Sequence, residues 1–308
     1  MIVYLNGQYL PLEEARIPVL DRGFIYGDGV YELVPVYRRR PFRMAEHLAR
    51  LQHSLDGIRL ANPHTTAEWE TIIRTLIDKH DFDDQAIYFQ VTRGVAKRDH
   101  AFPQGVAPTV FMMSNPLPTP SAAQFANGVA VVTAEDNRWR RCDLKTISLV
   151  GNVLMRQLAA DAGALETVMF RDGFLTEASA SNVLTVQGGR IVAPPKDHHI
   201  LPGITYGAAE EFARDAGIPF DIRPIPRAEA YAADEWWLSS STKEVLAITT
   251  VDGRPFAGGK PGPCSSACTR CSRPARGAVE SRSSRSGRDG RSASRRRRAC
   301  ARDAALRR

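Results

Sequence analysis

The order of apolar and polar residues near the start of the chain predicts a hairpin followed by helices. The first residues form an apolar strand that turns at Asn6-Gly7, a dipeptide typical of tight hairpins, and returns as a second short strand. Further along, apolar residues recur every three or four positions, which is the spacing of one helix face. These residues are Leu48, Leu51, Leu55 and Ile58. A second helix is predicted over AEWETIIRTLIDKH.

Strands are predicted where apolar residues alternate or run continuously, over GDGVYELVPVY, AIYFQVTRG and TVFMMSN. Pro35 lies inside the first of these strands and indicates a sheet edge or a bulge, because proline donates no hydrogen bond to a neighbouring strand. Together, these helices and strands predict an α+β domain over residues 1–118.

A second domain is predicted over residues 119–263. It follows a proline-rich stretch without periodicity, residues 115–128, which we interpret as a linker. Its strands are VAVVTAED, ETVMFRDG, ASNVLTVQGGRIVAP and EWWLSSST, and its helices follow Lys145 and cover YGAAEEFARDAG. The helix after Lys145 has an apolar face, which we expect to pack in the interior. That face consists of Val150, Val153, Leu154 and Leu158.

The last segment, residues 264–308, has almost no bulky apolar residues. We expect it to be disordered, because it cannot bury enough surface to offset the entropy of ordering. Cys264, Cys268 and Cys271 have the spacing of cluster-binding radical enzymes, but the arginine-rich surroundings argue against such a site. Since the residues are those of GC-rich codons, we favour the hypothesis that the reading frame shifts near Pro263.

The formal net charge of +7 comes from this tail. The tail holds 14 arginines and three acidic residues, a net of +11, which leaves −4 for residues 1–263. Nucleic-acid binding would therefore depend on the tail alone, through Arg295–Arg298. Only Cys142 lies in residues 1–263, which favours a reducing cytoplasm. We expect neither a membrane segment nor a secretory leader, because no apolar run approaches the ~18–20 residues of a span.

Lys145 and Glu177 are the first candidates for chemistry. A lysine at the entrance to an apolar helix can be partly desolvated, which favours the neutral amine that a Schiff base needs. Glu177, between a turn and a run of small residues, can pair with a buried cation such as a protonated pyridine nitrogen. The alternatives are a solvated surface lysine and a carboxylate that caps a turn or faces water.

Two further groups of residues are candidates for binding anions. Residues 203–205 precede a helix, whose free N–H groups and dipole favour a phosphate. Ser240 and Ser241 offer hydroxyls after a strand. Arg50, on a helix, offers a guanidinium. Each of these has an alternative as a helix cap, a turn or a surface arginine. Tyr31, Arg98 and His100 can together hold a carboxylate, for which arginine is suited by its two parallel N–H donors. The alternative there is an ordinary surface loop.

Seven segments resemble, in order and spacing, those of the class IV (fold type IV) pyridoxal-phosphate aminotransferases. They are DRGFIYGDGVYE, HLARLQHSLDGIRL, YFQVTRGVAKRDHAFP, RWRRCDLKTISLVGNVL, TEASASNV, LPGIT and STKEV. The similarity covers residues 1–263 and is greatest to the members that act on D-amino acids. It implies a two-domain α+β fold, with a small N-terminal α/β domain, a larger C-terminal α/β domain with a barrel-like sheet, and a homodimer.

The resemblance also implies roles for the candidate residues. Lys145 would form the Schiff base with pyridoxal 5′-phosphate and shuttle the proton, and Glu177 would pair with the pyridine nitrogen. Leu201 would pack against the cofactor ring. The residues expected around the phosphate are Arg50, Ile204, Thr205, Ser240 and Ser241.

Tyr31, Arg98 and His100 match the family's trap for the substrate α-carboxylate. The Arg-x-His pair separates the D-specific enzymes from their branched-chain L-amino-acid relatives. Pro35 departs from the family pattern, which has a non-proline, often basic, residue in that strand, and this leaves the substrate preference open.

The implied function is transamination between D-amino acids of the D-alanine type and 2-oxo acids such as 2-oxoglutarate. Within the same fold, the alternatives are a branched-chain L-amino-acid aminotransferase and an aminodeoxychorismate lyase. A nucleic-acid-binding protein acting through the tail is an alternative of a different class, and an inactive product that binds cofactor weakly is another. We expect no metal site and no membrane partner.

Overall fold

The computed structural model describes residues 1–268, which form two compact units. The first unit contains Met1–Pro118 together with Leu144–Leu149, and the second contains Thr119–Asp143 and the described residues from Val150 onward. The sequence prediction assigned residues 144–149 to the second domain, and this assignment is corrected, because their backbone pairs with the first unit. None of the helices in the described part of the chain is long and apolar enough to cross a membrane.

The first unit is an antiparallel sheet of six strands with two long helices packed on it. The sheet order is β2-β1-β6-β5-β3-β4. The strands are β1 (Ile2–Leu5), β2 (Gln8–Pro11), β3 (Gly29–Tyr37), β4 (Arg40–Pro41), β5 (Gln85–Thr92) and β6 (Thr109–Pro116). The helices are α1 (Arg22–Tyr26), α2 (Met44–Gly57) and α3 (Thr66–Asp78), with a short 3₁₀ turn at Leu12–Glu14.

The apolar stripe predicted for α2 packs in the core of this unit. Leu48, Leu51 and Leu55 are buried against β3, and Ile58 lies just after the helix ends. Each fully buried leucine contributes roughly 1.5–3 kcal/mol relative to an exposed one. Helix α3 begins with a capping box, in which the Thr65 hydroxyl accepts from the Glu68 N–H and the Glu68 carboxylate accepts from the Thr65 N–H.

The hairpin predicted for the start of the chain is confirmed, but the sheet edge or bulge predicted at Pro35 is not found. β1 and β2 pair across the Asn6-Gly7 turn, where both residues have positive φ. Pro35 pairs in register with Ala86 of β5 without a bulge, and β4 lies on the other side of β3, so Pro35 is at neither an edge nor a bulge. The Pro35 carbonyl accepts from Phe42 N, so its nitrogen also faces away from β5 and no hydrogen bond to β5 is lost.

The second unit is built on a larger sheet that closes into a ring. Its strands are β7 (Val129–Glu135), β8 (Glu166–Arg171), β9 (Phe174–Ala178), β10 (Asn182–Gln187), β11 (Arg190–Ala193), β12 (Phe220–Ile222), β13 (Glu235–Ser240), β14 (Glu244–Val251) and β15 (Arg254–Pro255). Its helices are α4 (Ala122–Asn127), α5 (Val150–Asp161), α6 (Ile204–Ala216) and α7 (Arg227–Tyr231), with a 3₁₀ turn at Ala257–Gly259.

The ring runs β10-β13-β14-β7-β8-β9 and closes because β9 also pairs with β10. That closing contact is a single residue pair, Glu177 opposite Asn182. β11 and β12 extend the sheet from β10, and β15 pairs with β14. The fold is thus the expected α+β arrangement, with a barrel-like sheet in the larger unit.

Both faces of the central strand β13 are buried. Trp236 and Trp237 are neighbours and therefore point to opposite sides of the sheet. Trp236 packs in the cluster formed by the ring strands, and Trp237 packs in a second cluster with Tyr206 and Phe212 of α6. This explains why two tryptophans stand next to each other in this strand instead of alternating with polar residues.

The interpretation of residues 115–128 as a linker is wrong in part. β6 continues to Pro116, and helix α4 occupies Ala122–Asn127. A capping box nucleates this helix, because the Ser121 hydroxyl accepts from Gln124 N and the Gln124 side chain accepts from Ser121 N.

The prediction that disorder begins at Cys264 is also wrong for the first few residues. Residues 263–268 are helical, and Cys264, Ala267 and Cys268 are buried in the α6 cluster. The Glu235 carboxylate accepts from the N–H groups of Cys264 and Ser265, both at 2.9 Å. The physical reason is that small side chains still suffice to fill a cavity against a large core. The rest of the predicted tail, including Cys271 and Arg295–Arg298, lies outside the described residues.

Candidate functional site

Lys145 lies in a short extended segment that runs beside β3 in the first unit. Its carbonyl accepts from Tyr31 N at 2.9 Å, and its own N–H donates to the Ser54 hydroxyl at 3.0 Å. A bridge between Val30 and Thr146 extends this pairing by one residue. The half-buried side chain places Nζ 4.2 Å from the centre of the Tyr31 ring. The backbone of Lys145 is therefore held on both sides.

The expectation that the helix after Lys145 buries its apolar face is wrong. On α5, Val150 is 74% exposed, Val153 61%, Leu154 60% and Leu158 47%. The opposite side of the helix is the buried one, with Met155 and Ala159 inside. An apolar stripe predicts contact with some protein surface, but not that the surface belongs to the same chain.

Arg50 lies on α2 and pairs with a buried carboxylate that the sequence analysis did not single out. Its Nε and Nη2 donate to Glu32 at 2.7 and 2.9 Å, and His47 Nδ1 lies 2.8 Å from the same carboxylate. Glu32 and His47 are fully buried and Arg50 nearly so. Burial raises the pKa of Glu32, but the charge and hydrogen bonds of Arg50 and His47 outweigh burial and hold this pKa well below its usual range.

Glu177 occupies the ring closure of the second unit and accepts three hydrogen bonds. Arg138 Nη1 donates to Oε1 at 2.7 Å; Leu201 N and Asn182 Nδ2 donate to Oε2 at 3.0 and 3.2 Å. Burial raises the pKa of Glu177, and the charge of Arg138 opposes this. The carboxylate is thus interior, as the sequence analysis required for a partner of a buried cation.

Arg138 is itself fixed by a second carboxylate. Its Nε and Nη2 donate to the two oxygens of Asp136, both at 2.9 Å. Arg171 lies 3.0 Å from Asp136 and the Thr176 hydroxyl donates to it at 3.0 Å. Burial lowers the pKa of Arg138, but its bonds to Asp136 and the charge of Glu177 outweigh burial and raise it above the usual value. Two arginines and two carboxylates therefore form a neutral buried network.

The segment from Leu201 to Thr205 runs from the same carboxylate, to which Leu201 N donates, to the start of a helix. Helix α6 begins at Ile204, and its N-cap, Gly203, has no side chain that could cap the first N–H groups. A Cβ on Gly203 would lie 2.1 Å from Asn182 Oδ1, so glycine permits the close approach of the Asn182 side chain. The Leu201 carbonyl also accepts from Asn182 Nδ2 at 2.8 Å.

Ser240 and Ser241 lie where β13 turns into β14. The Ser240 hydroxyl accepts from Lys243 N at 3.1 Å, and both serines are half-buried. In the same turn, Lys243 Nζ lies 2.8 Å from Glu166, a fully buried carboxylate. Glu166 also accepts from the hydroxyls of Ser179 and Ser181. The small residues that follow Glu177 in sequence are thus hydrogen-bonded to this carboxylate.

Arg98 and His100 are exposed on a loop of the first unit, next to Tyr26. The Arg98 guanidinium lies 5.4 Å from the centre of the Tyr26 ring, and the His100 ring is 5.5 Å from it. Within residues 1–268, no hydrogen bond, ion pair or ring contact joins Tyr31 to Arg98 or His100. The structure therefore brings Arg98 and His100 together but leaves Tyr31 with Lys145.

Buried Arg22, of α1, fixes the backbone of this loop. Its Nη1 donates to the carbonyls of Asp99 and Ala101 at 2.5 and 3.4 Å, on either side of His100. Its Nε donates to Asp28 at 2.8 Å.

The candidate residues fall into two sets by unit. Lys145, Tyr31, Arg50, Arg98 and His100 belong to the first, and Glu177, Leu201, Ile204, Thr205, Ser240 and Ser241 to the second. The partners that the sequence analysis missed are Glu32, His47, Arg138 and Asn182. Glu32 and Arg138 stand in the quoted motifs, but nothing in sequence spacing shows that they pair with Arg50 and Glu177. No three His, Cys, Asp or Glu side chains are grouped as metal ligands in the described chain.

Known proteins similar to this chain agree in family and fold. The amino-transferase class IV family matches residues 29–251. A D-alanine aminotransferase of Bacillus licheniformis is 36% identical over 263 residues, covering 85% of this chain and 93% of that protein. One of Staphylococcus aureus (strain N315) is 37% identical over 262 residues, with the same two coverages.

Solved structures share the fold at lower identity. The branched-chain amino acid aminotransferase of Escherichia coli has a TM-score of 0.86 at 23% identity, over 92% of this chain and 97% of that one. That of T.th. with pyridoxamine 5′-phosphate has a TM-score of 0.85 at 23% identity, over 91% and 95%. The chain belongs to the class IV aminotransferases, fold type IV enzymes that depend on pyridoxal 5′-phosphate.

Proposed function

We propose that this enzyme transfers the amino group between D-amino acids of the D-alanine type and 2-oxo acids such as 2-oxoglutarate, with Lys145 as its catalytic amine. The observation that carries the proposal is the state of Lys145: its backbone is held on both sides, while its Nζ has no hydrogen bond or ion pair with the described residues. An amine without a carboxylate partner is available to react with a carbonyl group. The preference for D-amino acids rests on the relatives at 36–37% identity, which are D-alanine aminotransferases.

The residues present in each unit fit pyridoxal 5′-phosphate. The first unit supplies an amine at Lys145 and a guanidinium at Arg50. A carboxylate can accept about four hydrogen bonds. In the second unit, Glu177 accepts three, so one position remains for a pyridinium N–H. The uncapped start of α6, with Ile204 and Thr205, suits a phosphate dianion. We assign Ser240, Ser241 and Leu201 to the same cofactor, the serines at the phosphate and Leu201 at the ring.

The cofactor, when bound, supplies an aldehyde carbonyl and a ring that withdraws electrons from the substrate Cα. In its neutral form, Lys145 Nζ removes the proton from the substrate Cα and returns it in the reverse half-reaction. One positioned base therefore serves both directions. Glu177, whose burial raises its pKa while the charge of Arg138 opposes this, would pair with the pyridine nitrogen of the bound cofactor and favour its protonated form.

We assign the substrate carboxylate to Arg98 and His100, and we propose that a second copy of the chain brings them to Tyr31. The support is that, in the described chain, Tyr31 lies beside Lys145 whereas Arg98 and His100 lie beside Tyr26. This separation is what supports a trap that two chains complete together. Where the carboxylate is held decides which face of the substrate presents its Cα hydrogen to Lys145.

The exposed apolar face of α5 supports a homodimer. Four large apolar side chains on one helix exceed the scattered exposure that is normal for a monomer. Leu154→Glu should convert a dimer to monomers in size-exclusion chromatography with light scattering, because a buried unpaired charge opposes association. Thr71→Glu, on the exposed side of α3, is the matched control and should leave the mass unchanged. A monomeric wild-type protein would contradict the proposal.

The experiment that tests the reaction is the absorbance spectrum of the full-length protein with its cofactor. D-alanine should bleach the absorbance of the lysine-bound cofactor, and L-leucine should not. Borohydride should attach the cofactor covalently to wild-type protein but not to Lys145→Ala, which is read by mass spectrometry. Bleaching by L-leucine alone would instead indicate a branched-chain L-amino-acid aminotransferase, and no covalent adduct would contradict the role of Lys145.

We also propose a cytoplasmic location. Cys142 is a free, buried thiol, and such cysteines are usual in a reducing compartment. Fractionation of the native cells with an antibody to the protein tests this, and recovery in an extracytoplasmic fraction would contradict it.

A further inference from the structure

The interior of the first unit contains an ionic cluster that ordinary packing does not require. Glu32 lies on β3, is fully buried, and contacts α2 through His47 and Arg50. A buried ion pair is weak evidence for stability, since apolar residues of similar size often stabilise a core as well or better. A buried carboxylate at this place therefore calls for another explanation.

Glu32 holds one edge of the Arg50 guanidinium. The two carboxylate oxygens accept from Nε and Nη2, a two-point contact that fixes the plane of the guanidinium as well as its position. The Nη1 end then points away from Glu32. His47 Nδ1 lies 2.8 Å from Oε2, so the carboxylate is in turn held from α2 at a second point.

The protonation of the cluster agrees with this geometry. Burial lowers the pKa of His47, and its bond to Glu32 opposes this only in part. A neutral imidazole that donates from Nδ1 leaves Nε2, which is buried without a hydrogen-bond partner in the described chain, as an acceptor. Glu32 and Arg50 thus remain ionised, and His47 adds a hydrogen bond without adding charge.

The same two elements hold Lys145. Ser54, one helical turn after Arg50 on α2, accepts from Lys145 N, and Tyr31, next to Glu32 on β3, donates to the Lys145 carbonyl. Ser54 is fully buried. One helix and one strand therefore carry both the guanidinium and the backbone of the amine-bearing residue.

We propose that Glu32 is a positioning residue that orients Arg50 toward the cofactor phosphate, and that Ser54 positions Lys145 relative to it. β3 and α2 thereby set the separation between the phosphate anchor and the reactive amine. This inference rests on the proposed function, in which Arg50 binds the phosphate and Lys145 binds the aldehyde.

The experiment compares two ligands that differ only in the phosphate. Full-length protein freed of cofactor is titrated with pyridoxal 5′-phosphate and with pyridoxal, and binding is followed by absorbance. Glu32→Gln should weaken binding of pyridoxal 5′-phosphate about tenfold or more, as expected when one charge-assisted hydrogen-bonded pair is lost. It should leave pyridoxal affinity within about twofold, because pyridoxal has no phosphate for Arg50.

Ser54→Ala should give the opposite result. It should weaken both ligands by a similar factor, because both react with Lys145. Glu46→Gln is the matched control: Glu46 forms a charged pair with Arg43 on the exposed side of the same helix, and its loss should change neither affinity.

Three outcomes decide the matter. A fall in the ratio of pyridoxal 5′-phosphate affinity to pyridoxal affinity in Glu32→Gln supports the proposal. An unchanged ratio, including one in which both affinities fall equally, overturns it. If Glu32→Gln does not fold, Glu32→Asp, which keeps the charge but shortens the reach, decides by the same ratio. Wild-type protein that binds neither aldehyde would instead overturn the proposed function, and that result is distinct from an unchanged ratio.

Discussion

Replacing Arg138 by methionine should destabilise the protein strongly and in a pH-dependent way. Arg138 contacts two carboxylates, Asp136 and Glu177, and its side chain is 5% exposed. After the substitution Asp136 still has Arg171 at 3.0 Å, so only Glu177 is left without a cation. The expected loss is therefore that of one broken buried pair, about 3–5 kcal/mol in the free energy of unfolding.

The pH dependence follows from the direction of the pKa shift. Burial already raises the pKa of Glu177 above its ordinary 4.5, and loss of Arg138 raises it further. A folded protein that binds more protons than the unfolded chain loses stability as the pH rises. The loss of unfolding free energy in Arg138→Met should thus be largest above the pKa that Glu177 has in the folded variant. It should shrink as the pH falls toward 4.5.

Urea unfolding at pH 5 and pH 8 measures both effects. Arg140→Met is the matched control, because Arg140 and Asp172 form an exposed pair at 4.0 Å whose loss should change stability little. A loss of stability in Arg138→Met that is no greater than in Arg140→Met, or that is the same at both pH values, would contradict this expectation.

Other substitutions test the remaining contacts. Gly203→Ala places a Cβ 2.1 Å from Asn182 Oδ1. It should lower the free energy of unfolding by about 1–3 kcal/mol and weaken cofactor binding in an absorbance titration. Gly207→Ala, whose Cβ meets none of the described residues within 4 Å, should do neither. Arg22→Gln releases the two loop carbonyls described above, and should raise KM for the amino acid about tenfold with little change in kcat; equal changes in both would contradict this. Cys142 should resist alkylation at about pH 8, because burial raises its pKa to about 11; peptide mass spectrometry checks this, and labelling as fast as in urea would be the contrary result.

The elements with a strong local signal could be predicted from the sequence. The α2 stripe and the Asn6-Gly7 hairpin depend on residues a few positions apart, so periodicity and turn chemistry suffice for them. Helix α4 also had a local signal, since Ser121 and Gln124 form a capping box, but the prolines around it concealed it. The family and fold followed from the order of seven motifs rather than from any one of them.

The side-chain partners could not be predicted. Arg50 and Glu32 are 18 residues apart and Arg138 and Glu177 are 39 apart, so only the fold brings them together. The exposed face of α5 shows a different limit: hydropathy reports that a surface avoids water, not which chain covers it. The buried residues after Pro263 show that composition alone does not decide whether a short segment packs.

The ring of the larger unit closes at one residue pair, and that pair contains Glu177, the residue that we propose faces the cofactor. If Glu177 and Asn182 part, the end of β9 and the facing end of β10 lose this pairing and can pair with other chains instead. A cofactor N–H that donates a fourth hydrogen bond to the Glu177 carboxylate would stabilise this pairing. Amide hydrogens of β9 and β10 should accordingly exchange more slowly in the cofactor-loaded protein than in the cofactor-free one, and the loaded protein should resist aggregation longer on warming.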